Sequence, residues 1–194
     1  STTDRAAVGH LLGGLDGCVD LIIPRGGKNL IARVQSDARV PVLAHLEGLC
    51  HTYVHKGANI TKTKAIILNA KLRRTGVCGS TETLLIDADI AKRLPEITQG
   101  LRERGCELRG DERAQNLDLP GLIPSTDQDY LTEHLAAILN IKVVDGIDVA
   151  LAHIAKYGSG HTDCIVTEDL AAAERFLHDV DSAIVMHNTS TQFA

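Results

Sequence analysis

The sequence predicts an α/β fold in which a mostly parallel sheet is covered by helices. Short apolar runs alternate along the chain with segments of helical periodicity, and this order of elements builds a parallel sheet. Neither an internal repeat nor a low-complexity stretch interrupts the alternation. Of the 194 residues, 44% are hydrophobic and 23% are charged, and this globular composition excludes a disordered or fibrous chain.

The individual elements follow from hydrophobic periodicity and from turn residues. Predicted strands cover residues 18–23, 40–43, 49–54, 83–86, 139–143, 163–166 and 183–186. Predicted helices cover residues 28–38, 60–74, 95–105, 146–157 and 170–180. The helix at 28–38 is expected to bury Leu30, Ile31 and Val34.

Glycine and proline positions refine the bounds of these predicted elements. The longest predicted helix, 60–74, carries apolar residues near helical spacing with Lys and Arg on its other faces, and Gly76 is its stop signal. Pro95 suits the first turn of the helix at 95–105. Residues 110–130 are rich in Pro, Gly and Asp with little periodicity, and they are predicted to form a long functional or surface loop.

Composition also excludes several classes of function. The formal net charge is −5, aromatic residues make up 3% and Trp is absent, so the chain lacks the basic surface and stacking platforms of a nucleic-acid binder. No apolar run approaches the roughly 20 residues that span a bilayer, so no membrane partner is predicted. Five cysteines without a CxxC pair, and a start that does not resemble a signal peptide, indicate a reducing, cytoplasmic location.

Cys78 is the candidate nucleophile. It follows the basic helix end at Arg73 and Arg74, where guanidinium charge favours the thiolate, and Gly76 and Gly79 allow a substrate to approach the backbone closely. The alternative is a buried and inert cysteine, which is the commonest state of a free cysteine. The remaining cysteines lie in more apolar settings and are predicted to be core residues: Cys18, Cys50, Cys106 and Cys164.

Three weaker patterns carry less weight. Cys50, His51 and His55 lie near a predicted strand without a second close pair of ligands, so no metal site is predicted. Residues 24–28 follow a predicted strand and open a helix, which is a weak signal for binding a phosphate or a cofactor. Residues 158–163 run from a helix to a strand, so a plain connection is favoured over a phosphate site.

Three blocks of the sequence resemble the γ-glutamyl phosphate reductases, a family of the aldehyde dehydrogenase superfamily. The blocks are NAKLRRTGVCGSTETLL at residues 69–85, a set of matching positions from Val144 to Ile165 and DLIIPRGGKNL at residues 20–30. The resemblance covers essentially the whole chain. It implies an aldehyde-dehydrogenase-like three-layer catalytic domain at residues 45–194, preceded at residues 1–44 by the tail of a Rossmann-like, NADP-binding domain.

The resemblance also implies a reaction. Cys78 would attack the acyl phosphate of L-glutamate 5-phosphate, and NADPH would reduce the resulting thioester to L-glutamate 5-semialdehyde, the second step of proline biosynthesis. The backbone N–H of Cys78 and a side-chain amide would stabilise the developing oxyanion. The residues carried over as substrate-binding are Asn69, Arg73, Arg74, His161 and Thr162, and those carried over as cofactor-binding are Glu133, Pro24, Arg25 and Gly26.

Several alternatives stay open at this point. Arg73 and Arg74 suit a phosphate or a carboxylate, but a solvated basic helix end explains either one equally well. Members of the family are about twice as long, so the chain is expected to be a piece that lacks most of the N-terminal cofactor domain and the C-terminal tail. A homo-oligomer and contact with glutamate 5-kinase are the implied protein partners. The rival functions are another acyl-phosphate reductase and a non-catalytic α/β module.

Overall fold

The computed structural model describes residues 6–194, which fall into two compact units that divide between Glu47 and Gly48. The first unit contains helix α1 (Ala6–Leu12), a 3-10 turn (Leu15–Gly17) and helix α2 (Lys28–Asp37). That this unit belongs to a cofactor domain, with a boundary at residue 44, stays a prediction.

Both strands predicted for the first unit are wrong. Residues 18–23 and 40–43 meet only at one parallel bridge, between Ile22 and Val42. Pro24 and Pro41 lack the N–H that a longer ladder would need, which limits the pairing to the two bonds around Ile22. Helix α2 buries Ile31 and Val34 as expected, whereas Leu30 is 38% exposed and its predicted burial is wrong.

The second unit is a seven-stranded, fully parallel sheet in the order β4-β3-β5-β2-β1-β6-β7, which confirms the α/β prediction. Its strands are β1 (Cys50–Val54), β2 (Thr81–Asp87), β3 (Glu107–Gly110), β4 (Ile123–Pro124), β5 (Ile138–Val144), β6 (Thr162–Val166) and β7 (Ile184–His187). Its helices are α3 (Ile60–Leu72), α4 (Leu94–Ile97), α5 (Gln99–Glu103), α6 (Glu112–Gln115), α7 (Asp127–Tyr130), α8 (Gly146–Tyr157) and α9 (Leu170–Asp179), and two 3-10 helices cover Ala88–Arg93 and Thr191–Phe193.

Helices cover both faces of this sheet, as a parallel sheet requires. On one face, Leu84 and Ile86 of β2 pack in a core that α3, α4 and α5 complete. On the other face, Leu85 packs in a second core with residues of α8 and α9. The alternation of side chains along one strand therefore builds a three-layer unit, and it explains why β2 is buried at every position.

Two predictions within this unit need correction. Residues 110–130 are not a structureless loop, since they contain α6, β4 and α7 and follow the unpredicted strand β3. These elements have four residues or fewer, too few to show a period, and an N-terminal cap from Asp111 to the Ala114 N–H stabilises α6. The helix predicted at 95–105 is broken between α4 and α5, where the Thr98 hydroxyl donates to the Leu94 carbonyl.

Because the sheet is parallel, all of its strands begin at one edge, here called the amino edge, and end at the opposite carboxyl edge. The amino edge is formed by the segments that precede four neighbouring strands, which are residues 48–49, 73–80, 131–137 and 158–161. These segments contain Cys78, Glu133 and His161. Among residues 6–194, no helix is long and apolar enough to cross a membrane.

Candidate active site

Cys78 lies at the amino edge, in the turn that joins α3 to β2. It is partly buried, and a hydrogen bond of 2.9 Å from the Ser80 N–H to the Val77 carbonyl closes the turn around it. Within residues 6–194, the Cys78 N–H donates to no protein acceptor. A nucleophile whose own N–H is unused is the arrangement that an oxyanion hole needs.

The segment before β1 passes directly against the Cys78 backbone. A Cβ atom at Gly48 would lie 1.9 Å from the Cys78 carbonyl oxygen, so only glycine fits at this position. The Gly48 N–H donates to Glu133 Oε1 at 2.9 Å, and the Leu49 N–H donates to Ser159 Oγ at 2.9 Å. Side chains from two other amino-edge segments therefore fix this close approach.

A buried thiol and an imidazole lie behind Cys78. The Cys50 thiol donates to the Cys78 carbonyl at 3.1 Å, and its Sγ lies 3.7 Å from His161 Nδ1. The same ring nitrogen is 2.8 Å from the hydroxyl of Thr162, whose side chain is fully buried. The structure thus brings Cys78 and His161 to one edge, while Thr162 contacts the His161 ring from within the sheet.

The end of the described chain supports the Cys78 turn. The Thr191 hydroxyl is 2.9 Å from the Thr81 hydroxyl at the start of β2, and a Cβ on Gly79 would lie 3.0 Å from the Thr191 carbonyl. Gln192 Nε2 donates to the Ala70 carbonyl at 2.8 Å, which satisfies a carbonyl at the C-terminal end of α3.

The two candidate arginines differ in their contacts. The Arg73 guanidinium lies 5.0 Å from the centre of the Phe193 ring and donates to the Gln192 carbonyl at 3.3 Å. Arg74 is exposed and has no ion pair or hydrogen bond within residues 6–194. Asn69, on the last turn of α3, has a buried Oδ1 that no described residue contacts by a hydrogen bond. The substrate-binding roles of all three stay predictions.

The cysteine predictions are confirmed in three cases and wrong in one. Cys50, Cys106 and Cys164 are buried, whereas Cys18 is exposed. Burial raises the pKa of the Cys106 thiol to about 11 and that of Cys164 to about 12, and it raises the pKa of Cys50 well above its ordinary range. These three thiols are therefore protonated and unreactive near neutral pH.

A buried cluster of imidazoles and phenols lies beside β1. His51 Nδ1 is 2.9 Å from the Asp163 carboxylate, which also accepts from Ser182 Oγ at 2.5 Å. The His51 ring meets the His153 ring edge to face at 5.4 Å, and Tyr157 lies 4.5 Å from His153. Burial lowers the pKa of His153 to about 3, with His51 as the second cause, so this imidazole stays neutral.

The residues predicted to bind a cofactor lie in different units. In the first unit, Pro24 is partly buried and Arg25 and Gly26 are exposed in the turn that precedes α2, whose N-cap is Gly27. In the second unit, one oxygen of Glu133 accepts from Gly48, and the other accepts no hydrogen bond from residues 6–194. A carboxylate with one open oxygen fits the hydroxyls of a ribose, and the cofactor role of each residue stays a prediction.

Sequence reasoning missed Gly48, Ser159 and Gln192. The glycine in His-Leu-Glu-Gly immediately before a predicted strand was the available signal for Gly48. Ser159 and Gln192 form hydrogen bonds with residues far away in the sequence, and such contacts cannot be predicted from a local pattern.

The second unit, a parallel sheet between two layers of helices, has the fold of the aldehyde dehydrogenases. An acetylating aldehyde dehydrogenase from Geobacillus thermoglucosidasius superposes with a TM-score of 0.74 at 21% identity, over 98% of this chain and 50% of that one. No family model matches the chain. A γ-glutamyl phosphate reductase from Thermotoga maritima superposes with a TM-score of 0.93 at 41% identity, over 99% of this chain and 46% of that one.

Curated relatives agree with this closer likeness. γ-Glutamyl phosphate reductases from Hyphomonas neptunium and from Methylobacterium sp. are 62% and 58% identical over the whole of this chain. The chain spans 45% of the length of each of these two relatives. Over its whole length the chain is therefore similar to the γ-glutamyl phosphate reductases.

Proposed function

We propose that the whole protein reduces L-glutamate 5-phosphate to L-glutamate 5-semialdehyde with NADPH, and that Cys78 is the nucleophile. The observation that carries the proposal is the position of Cys78, with its backbone N–H unused and its carbonyl held between Gly48 and Cys50. Similarity to γ-glutamyl phosphate reductases over the whole chain supports the choice of substrate.

The first step is acyl transfer to sulfur. The Cys78 thiolate attacks the carbonyl carbon of the acyl phosphate, the new C–S bond forms, and the bond from carbon to the phosphate oxygen breaks, so inorganic phosphate leaves. The Cys78 N–H would donate to the oxyanion, and the absence of a competing protein acceptor within residues 6–194 supports this role. The product is a thioester on Cys78.

The second step reduces that thioester. When bound, the reduced nicotinamide supplies a hydride to the carbonyl carbon, and collapse of the thiohemiacetal breaks the C–S bond and returns the thiolate with the free aldehyde. Among this chain's residues, the open oxygen of Glu133 would accept from the nicotinamide ribose, and the turn at Pro24, Arg25 and Gly26 would contact other parts of the cofactor.

Arg74 is the better candidate for the substrate's anionic groups. Its guanidinium is exposed and unpaired within residues 6–194, whereas the guanidinium of Arg73 contacts Gln192 and Phe193. The Arg73 guanidinium would have to give up its present contacts before it could bind the substrate. An unpaired guanidinium can bind a phosphate or a carboxylate without losing any contact.

Trapping the thioester tests the proposal. The whole protein is mixed with radiolabelled L-glutamate 5-phosphate, and we expect about one hydroxylamine-labile acyl group per protein molecule together with released phosphate. Cys78→Ala should abolish the label, and Cys18→Ala, which removes an exposed cysteine, should leave it intact. Equal labelling of the wild type and Cys78→Ala would refute the role of Cys78, and preferential labelling by aspartyl phosphate would refute the substrate.

A further inference from the structure

Two buried charges lie on either side of the Cys78 turn. Lys71 is in the last turn of α3 and Glu82 is the second residue of β2, so Lys71 precedes Cys78 by seven positions and Glu82 follows it by four. Lys71 Nζ donates to Glu82 Oε2 at 2.8 Å, and the two side chains are 0% and 2% exposed. The ammonium and the carboxylate therefore join the two arms of the turn out of contact with water.

Other contacts between these arms are weaker. The Ser80 hydroxyl lies 3.5 Å from the Ala70 carbonyl and 3.4 Å from the Lys71 carbonyl, both at the limit of a hydrogen bond. Within residues 6–194, the Lys71–Glu82 contact is the shortest side-chain hydrogen bond between α3 and residues 80–87. Its geometry fixes the distance between the places where the Cys78 turn begins and ends.

Stability does not explain this pair. Removing both charges from water is costly, and the attraction repays that cost only when the remaining hydrogen-bonding capacity is also satisfied. Among residues 6–194, Glu82 Oε1 is buried without a hydrogen-bond partner, and burial raises the pKa of Glu82 to about 7 against the lowering influences of Lys71 and of the His134 backbone. Replacing a buried ion pair by apolar side chains of similar volume is often neutral or stabilising, so stability alone gives no reason for this pair.

We propose that Lys71 and Glu82 are positioning residues for Cys78, whose buried contact sets the geometry of the nucleophile turn at the expense of stability. The inference rests on the proposed function only in that Cys78 accepts an acyl group. A hydrogen bond between two charged groups is directional, so it keeps the two side chains at one distance. Two apolar side chains stay in contact even when they shift relative to each other. Acyl transfer needs the sulfur, the substrate carbonyl and the oxyanion donor in register, so it responds to small displacements of this turn.

The test compares two ion pairs, each of which is made by a lysine of α3. The double variant Lys71→Met with Glu82→Leu replaces the buried pair by apolar side chains of similar size. The control, Lys62→Met with Glu168→Leu, removes the ion pair of 3.0 Å at the other end of α3, whose side chains are 53% and 48% exposed. Each protein is measured for its melting temperature, for acylation of Cys78 by L-glutamate 5-phosphate and for alkylation of Cys78 by iodoacetamide, with the modified peptide identified by mass spectrometry.

We expect the buried double variant to melt within a few degrees of the wild type or above it, and to lose about 10-fold or more in the acylation rate. Alkylation, which needs no oxyanion donor, should change by less than about threefold. The control should match the wild type in both reactions. Glu82→Gln, which keeps an acceptor of the same length, should lose less acylation than the double variant.

Two results would overturn the inference. A folded double variant that acylates at the wild-type rate would show that the pair does not position Cys78. A double variant that fails to fold would show that the pair serves stability instead. If the wild type itself forms no thioester, the proposed function fails, and that outcome is distinct because it appears before any variant is compared.

Discussion

The two edges of the same parallel sheet present opposite environments. The carboxyl edge carries a crevice of about 390 Å³, lined mainly by His55, Lys56, Asp87, Asp89, Asp145 and Asp148. The amino edge carries Cys78, the close approach of Gly48 and the contacts of Cys50, His161 and Glu133. In open α/β sheets, ligands ordinarily bind outside the carboxyl ends of the strands.

The difference between the edges teaches how a site is recognised. Three aspartates of the crevice are paired with neighbouring exposed cations, namely Asp89 with Lys56, Asp145 with Arg113 and Asp148 with Arg175. At the amino edge, polar groups are buried and backbone segments touch where only glycine fits. Precise contacts around a candidate nucleophile, rather than an open crevice, therefore identify the candidate site.

The largest expected effect comes from adding one methyl group at the amino edge. In Gly48→Ala, the new Cβ would meet the Cys78 carbonyl at 1.9 Å, so the Cys78 turn must move. We expect acylation of Cys78 to fall by about 100-fold or more, since a displacement of about 1 Å costs that much in a positioned reaction. The rate of thioester formation from L-glutamate 5-phosphate measures the effect.

The matched control lies at the carboxyl edge. Gly146 has a φ of +79°, but no atom lies within 4 Å of a Cβ placed there. Gly146→Ala should cost about 1–2 kcal/mol in the free energy of unfolding through backbone strain alone, and should leave acylation unchanged. A Gly48→Ala protein that acylates as fast as Gly146→Ala would remove the contrast between the edges.

An intermediate effect is expected from the neutral imidazole next to the amino edge. The pKa of His153 is lowered from 6.5 to about 3, so the unfolded chain binds a proton that the folded chain excludes between these values. The stability from this group is complete above pH 6.5 and is lost as pH falls toward 3. His153→Leu cannot take up that proton, so its stability should be less sensitive to acid across this window.

Denaturant unfolding as a function of pH measures this difference. At a pH of about 4.5, the wild type should have lost ~3 kcal/mol relative to neutral pH through His153, and His153→Leu should avoid that loss. His178→Ala, which removes a histidine whose side chain is 88% exposed, serves as the control and should follow the wild-type curve. Parallel acid curves for the wild type and His153→Leu would contradict the assignment.

The parts of the fold that could be predicted from the sequence are the longer strands and helices, whose apolar residues follow a regular spacing. Strands β1, β2, β5 and β6 are largely buried, and the apolar residues within each of them, such as Leu84–Ile86 in β2 and Cys164–Val166 in β6, can be recognised without any structure. The short elements between Glu112 and Tyr130 have no such signature, because a helix of four residues shows no period. Ile22 and Val42 look like strand residues locally, but a strand also depends on a partner of sufficient length.

In the candidate site as well, some residues could be predicted from the sequence and others could not. Cys78 could be found from its own neighbourhood, because the charges and glycines that affect a thiolate are adjacent in sequence. Lys71 fitted the predicted polar faces of its helix, yet it is fully buried against Glu82. Gly48 matters only because Cys78 lies against it. Long-range contacts of this kind leave no local pattern to interpret.

The smallest expected effect comes from the acidic crevice itself. Asp89 is 69% exposed and reaches Lys56 at only 3.9 Å, a geometry that contributes little to stability. Asp89→Asn should therefore change the free energy of unfolding by less than about 0.5 kcal/mol and the acylation rate of Cys78 by less than about twofold. Acylation kinetics and denaturant unfolding measure both quantities. Asp89 follows β2 and Cys78 precedes it, so the two residues lie at opposite ends of one strand. A large loss of acylation would show that the crevice affects Cys78 through this strand, and the two edges would then not be independent.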